Sequence, residues 1–370
     1  MIERDEAHVL PRSLASFRAL ISAGCSPSYC VVDGGSVDGS ASLIPQLMDG
    51  VPGEVHIIPQ PKPLDDFAGA RNGALDRARL LAPWMWMLDA DDEIQMKTGF
   101  IMPDLKAGGY AGGYKVLIKN GSDEFWRTVL VRSDLPWRYV GEMHENIECA
   151  VPCEVLPLEG IWIQVHPGEG ARSKDPKQKF LNDAAVLRKA LEKSPGNLRH
   201  LFYLAQSLRD AGELEASLKV YEERGAHTEG WAEETYFALL QVARIKWWLN
   251  RPVQEVVDAF LAASQFRSCR AESFGMLAEY LRGQKLWRMA VHFASLAMAI
   301  PRPADILFVT VSWYEWKSRD ELAISAYWAG DFQTCRRSCM ALLDNPKLPA
   351  DQRERVKTNL AFANKALGMS

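Results

Sequence analysis

The sequence predicts an α/β domain with a mostly parallel, Rossmann-like sheet, followed by an all-α solenoid of helical repeats. Three observations carry this. Short β-branched or aromatic runs alternate with helix-period segments over roughly the first 170 residues, the order that builds a parallel sheet with helices on its faces. After about residue 172 the glycine-rich turns thin out and helical periodicity runs to the end. Helix-turn-helix units then recur at a loose period. At 370 residues the chain exceeds a usual single core, so two domains are expected, 1–172 and 173–370.

The elements follow in order. The first strand is reduced to Met1-Ile2 and its flank, so either that strand is short or the natural start lies upstream. "YCVVDGGSVDGS" (29 to 40) is a buried strand ending in Asp33, a Gly/Ser turn, and the start of a helix through Met48. "EVHIIPQ" (54 to 60) reads as a strand, "FAGARNGALDRARLL" (67 to 81) as a helix, and "WMWMLDA" (84 to 90) as a third strand. "IWIQVHPGEG" (161 to 170) ends a further strand near His166. In the second part, the turn positions Gly212, Asn250, Gly283 and Gly330 stand 38, 33 and 47 residues apart, around the ~34-residue tetratricopeptide period. Pro301 and Pro303 mark an insertion between repeats.

Composition limits the function classes. With 43 basic and 47 acidic residues the net charge is -4, which gives no global pull toward nucleic acid or anionic membrane. Seven cysteines without a CxxC point to reduced thiols rather than a disulfide frame or a thiolate zinc site. Cys335 and Cys339 are read as small apolar core. No signal peptide opens the chain and no apolar run reaches the ~18 residues of a membrane span. The reading is a soluble, cytoplasmic protein.

The chemistry concentrates in "WMWMLDADDEI" (84 to 94), where a buried run breaks into Asp89, Asp91, Asp92 and Glu93. Like charges this close call for a positive partner. The plain alternative is a solvated loop leading into an acidic helix N-terminus, which accounts for Asp92 and Glu93 but not for Asp89 against Leu88. A strand-end Asp-x-Asp suits a hard divalent cation such as Mg²⁺ or Mn²⁺ shared with substrate phosphates. Ligands in such sheets bind beyond the carboxyl ends of the strands, where Asp33 and Asp89 fall.

"MIERDEAHVLPRSLASFRAL", "CVVDGGSVDGS", "DDFAGARNGAL" and "WMLDADDEI", in this order and spacing, resemble family-2 glycosyltransferases of the GT-A fold. The likeness spans nearly all of the first 170 residues. It is closest to the subgroup with a C-terminal tetratricopeptide (TPR) domain, which includes S-glycosyltransferases acting on bacteriocin peptides. The resemblance implies that Asp33 accepts a hydrogen bond from a uracil N–H and that Glu6 lies close to the nucleotide. Asp66, Arg71 and Asn72 match its D-F-x-x-x-R-N pattern, with Arg71 near the diphosphate and Asp66 holding the base or donor sugar. Asp89 is implied on the ribose side and Asp91 on the metal, with His166 as a further metal ligand. "RTVLVRSDLPWRYVGEMHENIE" (127 to 148) is similar to the stretch that ends in a His-Glu pair. A base must take the acceptor's proton, and Glu145 is the candidate, with His144 a pocket hydrogen-bonder or secondary base.

The structural alternatives are definite. Arg71 pairs with Asp76 or Asp66, Asp33 bonds the Gly34-Gly35 backbone as a turn-opening residue, Glu145 pairs with Arg138, His144 caps a loop, and His166 is an exposed loop imidazole.

The expected function is a metal-dependent inverting glycosyltransferase with Mn²⁺ or Mg²⁺ as cofactor. Its donor is a UDP-linked hexose or N-acetylhexosamine, and its acceptor a peptide, a glycan or a modified nucleobase held by the solenoid. The second hypothesis is a non-catalytic peptide-binding scaffold with a degenerate transferase domain.

Overall fold

The computed structural model describes residues 1–57, 67–105, 111–121, 123–141, 145–170 and 175–369. The chain divides into two compact units, Met1–Glu213 and Leu214–Ser370.

In the first unit, β1 (Ile2–Glu3), β2 (Tyr29–Asp33) and β3 (Gly53–Ile57) form a parallel sheet in the order β1-β2-β3. Its register sets Glu3 opposite Asp33 and Asp33 opposite Ile57. α1 (Leu10–Arg18), which carries Pro11 in its first turn, and α2 (Ser40–Leu47) cover this sheet. Leu10, Leu14, Val31, Ile44 and Met48 are buried together there. Proline suits that position because the N–H it lacks has no partner in a helix's first turn. α3 (Phe67–Ala78) follows, then β4 (Trp84–Trp86) and β5 (Glu93–Met96).

Here the structure differs from the sequence reading. β4 stops at Trp86, and Met87 N donates to Val129 O before the chain turns, closed by Asp92 N donating to Asp89 O. Glu93 opens a strand, not a helix. The acids therefore lie in a tight connection between two strands. The residues read as strand beyond Ile57 fall outside the described ones.

The parallel part is confined to β1-β2-β3 and the pairing of β6 (Ala111–Asn120) with β10 (Glu154–Gln164). β6 and β7 (Asp123–Arg132) are antiparallel because they are neighbours joined through Gly121, whose φ is 59°; a short hairpin permits no other pairing. Within this unit the second sheet runs β4-β7-β6-β10-β5, with Ile94, Val116, Ile118, Val129 and Ile163 buried in its core. A small hairpin, β8 (Trp137–Val140) with β9 (Asn146–Cys149), stands beside it. The unit ends in α4 (Pro176–Lys193) and α5 (Leu198–Asp210), which pack together and are capped by Asp175 and Asn197. The all-helical part of the chain thus begins at Pro176.

The second unit is a run of helices: α6 (Leu214–Ala226), α7 (Ala232–Trp248), α8 (Val253–Phe266), α9 (Glu272–Gly283), α10 (Trp287–Ala299), α11 (Ser318–Trp328), α12 (Phe332–Leu343) and α13 (Ala350–Ala366). Each packs on the next, as in a repeat solenoid. Cys335 and Cys339 are buried between α11, α12 and α13. The long interval before Gly330 is explained by an insertion after α10 that ends in a π-helical stretch, Trp313–Lys317, running into α11. It is held by Arg270 on Asp305 at 3.2 Å and on Glu272 at 2.8 Å, and by Glu233 accepting from the backbone of Ile306 and Leu307. Among the described residues no helix is long and apolar enough to cross a membrane.

Candidate active site

The strand-end acids meet two arginines. α3 aims Arg71 at the turn after β4, where its Nη1 lies 2.6 Å from Asp89 Oδ1 and its Nε donates to Glu145 Oε1 at 2.5 Å. β7 brings Arg127, which donates to Asp89 Oδ2 at 3.1 Å and to Asp92 Oδ2 at 2.5 Å. Asp89 thus has both oxygens engaged by guanidinium groups. Burial alone pushes its carboxyl up, but Arg71 and Arg127 outweigh that and hold it below the ordinary carboxylate range. Asp92 is more deeply buried and has one arginine; burial wins there and pushes it up to about 6.

The positive partner that the acid cluster demands is therefore, for Asp89 and Asp92, a pair of arginines. Arg71 does not pair with Asp76, which instead takes Arg138 at 2.5 Å, and Glu145 takes Arg71 in place of the Arg138 of the alternative reading.

Two further contacts fix α3 to the small hairpin. Asn72 donates from Nδ2 to Tyr139 O at 3.0 Å and accepts from Tyr139 N at 2.8 Å. The Tyr139 ring lies under the Arg71 guanidinium, 5.3 Å from ring centre to Cζ. Burial pushes the Tyr139 phenol up to about 12, so it serves as a donor and not a base. An apolar cavity of about 290 Å³ borders Arg71 and Tyr139, lined among others by Met1, Leu75, Trp84 and Trp86.

Asp91 stands outside the arginine network. Burial, then the charge of Asp89, pushes its carboxyl above the ordinary range. Together with Glu6 it faces Gly170: a Cβ there would sit 3.0 Å from Asp91 Oδ2 and 3.7 Å from Glu6 Oε1. Two hard oxygen donors beside a spot that only glycine leaves open fit Mg²⁺ or Mn²⁺, ions that take one or two protein carboxylates and complete their shell with water and phosphate. Among the described residues no three His, Cys, Asp or Glu side chains stand assembled as a metal cage. His166 Nε2 lies 2.7 Å from Glu93 Oε2. A carboxylate so placed is the kind of partner that orients an imidazole. The segment from His166 to Gly170 is fastened by Arg12, 2.6 Å from Glu169, and by His8 on Glu169 O at 2.6 Å.

Asp33 lies apart, fully buried at the end of β2. Its Oδ1 accepts from Gly35 N at 2.5 Å and Ser36 N at 2.7 Å, so it does cap its turn. Its Oδ2 is buried without a hydrogen-bond partner. Asp66 and His144 lie outside the described residues.

Sequence reasoning missed Arg127, Asp92 as an arginine partner, Glu93 behind His166, and Glu3 beside Asp33. A lone arginine inside the apolar run of β7 and a lone acid in β1 were the available signals.

Acids at the carboxyl ends of β2 and β4 in an α/β unit mark the crevice where such folds bind nucleotides and related ligands. The comparison of families refines this. Residues 3–99, within the first unit, match the family described as glycosyl transferase family 2. No curated protein matches the chain. Among solved structures, a TPR protein from Parabacteroides merdae is 16% identical over 52% of this chain and 68% of its own, with a TM-score of 0.39. A thermophilic TPR protein of Thermus thermophilus is 14% identical over 50% of this chain and 92% of its own, with a TM-score of 0.35. The MamA protein is 13% identical over 52% and 85%, with a TM-score of 0.34.

Proposed function

We propose that the chain is a metal-dependent, inverting glycosyltransferase that uses a UDP-linked hexose or N-acetylhexosamine and modifies a macromolecular acceptor held by the helical repeats. The observation that carries the reading is the separation of two acids in one turn. Asp89 is saturated by Arg71 and Arg127, whereas among the described residues Asp91 has no ion pair and faces Glu6 across the space kept by Gly170. Asp91, with Glu6 beside it across the space kept by Gly170, is the pair that would hold a divalent cation, water and phosphate completing its shell. When bound, the cation stabilises the negative charge of the leaving diphosphate.

In the reaction the acceptor atom bonds to the anomeric carbon as the bond from that carbon to the diphosphate oxygen breaks, its electron pair leaving with the diphosphate. The acceptor's proton passes to a base. Glu145 takes that role while tethered to Arg71, with His144 next to it in sequence. Arg71 orients both carboxylates, and the buried backing of the site excludes water.

The saturation of Asp89 and the complete burial of Asp33 favour one other reading, a transferase-like domain that serves only as a scaffold for peptide binding. One experiment separates the two. A panel of nucleotide sugars is incubated with the protein and Mn²⁺, and UDP release by hydrolysis is scored for wild type and Asp91→Ala. Donor hydrolysis that disappears in Asp91→Ala and with EDTA supports the enzyme. If no donor is hydrolysed and UDP with Mn²⁺ leaves the melting temperature unmoved, the scaffold reading stands.

A further inference from the structure

The carboxyl ends of β1 and β2 hold a second pair of acids that the arginine network does not reach. Glu3 and Asp33 are register partners on adjacent parallel strands, so their side chains leave the sheet on the same face. They are 4% and 0% exposed. Ser36 Oγ donates toward both Glu3 oxygens at 3.3 Å, and the backbone N–H groups of Gly35 and Ser36 occupy Asp33 Oδ1. Asp33 Oδ2 is left buried with no N–H or O–H donor fixed on it. Among the described residues the charges that act most strongly on Glu3 are those of Asp33 and Asp38, both acids. α3, which also packs on β1, sends Arg71 to Asp89 and Glu145 instead. From the loop side, Asp5 is bonded to Val37 N, and Asp38 to Ala7 N and Ser40. Among the described residues neither carboxylate is paired with a cation, so holding two negative charges in this sealed pair is strongly disfavoured.

We infer that Glu3 and Asp33 share one proton, carried by Glu3 and donated to Asp33 Oδ2, and that Glu3 is thereby a positioning residue for the nucleotide site at the end of β2. This rests on the glycosyltransferase reading above. The proton supplies the one donor that Asp33 lacks and fixes the 33–38 turn, whose backbone also reaches Asp5. Without it a second negative charge is trapped beside the first and the turn must open to admit water. Burial, then the hydrogen bond and charge of Asp33, pushes the Glu3 carboxyl up to about 8, so the proton is present at neutral pH. Because this folded value lies above that of an unfolded carboxyl, the stabilisation is complete below about pH 4.5 and is lost as pH rises to about 8.

The test compares wild type, Glu3→Gln and Glu3→Ala. UDP affinity is measured with Mg²⁺ from pH 6 to 9.5 by calorimetry, and urea unfolding over pH 4.5 to 9. Glutamine keeps a donor and cannot lose it. The ratio of wild-type to Glu3→Gln affinity, which cancels the titration of UDP itself, is expected to be flat to about pH 7.5 and then to fall toward tenfold per pH unit. Glu3→Ala binds weakly at every pH. In urea, wild type loses stability relative to Glu3→Gln between pH 5 and 8. A flat affinity ratio across the range, with both proteins binding UDP, overturns the positioning role. Absence of UDP binding by either protein at any pH overturns the donor reading and the positioning role with it. The shared proton is then judged on the urea profiles alone, and parallel profiles overturn it.

Discussion

Replacing Arg71 by methionine removes the guanidinium that joins the turn after β4 to the small hairpin, and its two partners are left in different states. Asp89 keeps Arg127 at 3.1 Å. Among the described residues Glu145, whose side chain is 8% exposed, has no cation other than the one removed. Stranding one carboxylate of a buried pair costs about 3–5 kcal/mol; Arg71 is itself 20% exposed and Asp89 stays paired, so about 3 kcal/mol is expected. For a unit of this size that lowers its melting transition by ~6–12 °C. The double variant Arg71→Met/Glu145→Gln removes the stranded charge and should recover ~1–2 kcal/mol of the loss. Arg71→Lys retains the charge without the fork and should fall between wild type and Arg71→Met. Urea unfolding followed by tryptophan fluorescence measures all of these. A loss under about 1 kcal/mol in Arg71→Met, or a double variant no more stable than the single, would refute the view that Arg71 is what holds Glu145.

Gly170→Ala sets a Cβ 3.0 Å from Asp91 Oδ2, so donor hydrolysis should drop by at least about tenfold while the urea midpoint barely moves; unchanged hydrolysis with unchanged Mn²⁺ dependence rules out a metal beside Asp91. Gly275→Ala in α9 places a Cβ 2.4 Å from the buried ring of Trp313, and the resulting overpacking should cost the second unit ~2–3 kcal/mol. A neutral result in urea unfolding would mean that the insertion after α10 yields more readily than its buried ion pairs indicate.

Much of the fold was legible because its signals are local. The β-branched run of β2, the Gly/Ser turn after Asp33 and the repeat turns at Gly212, Asn250, Gly283 and Gly330 need only neighbours in sequence to take shape. The acid turn was harder. "LDADDEI" carries the same composition whether a helix or a strand follows, and only the pairing of Glu93–Met96 with β10, more than sixty residues on, makes it a strand. The site was legible in its members and not in its pairing. Arg71, Asp89 and Glu145 were each singled out, yet nothing in their spacing says that one guanidinium bridges the other two. Arg127 went unread because its partners lie 35 and 38 residues away along the chain. Glu3 went unread because a two-residue strand shows no alternation from which to infer which way an acid faces.

The side chain of Asn72 imitates a peptide group: it gives and takes one hydrogen bond with the backbone of Tyr139, as a neighbouring strand would. A helix is in this way stitched to the rim of a ribbon, and the stitch sits one residue from Arg71, which grips Glu145 just ahead of β9. Helix and ribbon are thereby tied together at two neighbouring residues. In the transfer proposed above, a shift of α3 would carry Glu145 with it, so that release of the diphosphate and capture of the acceptor's proton would be geared to one mechanical part.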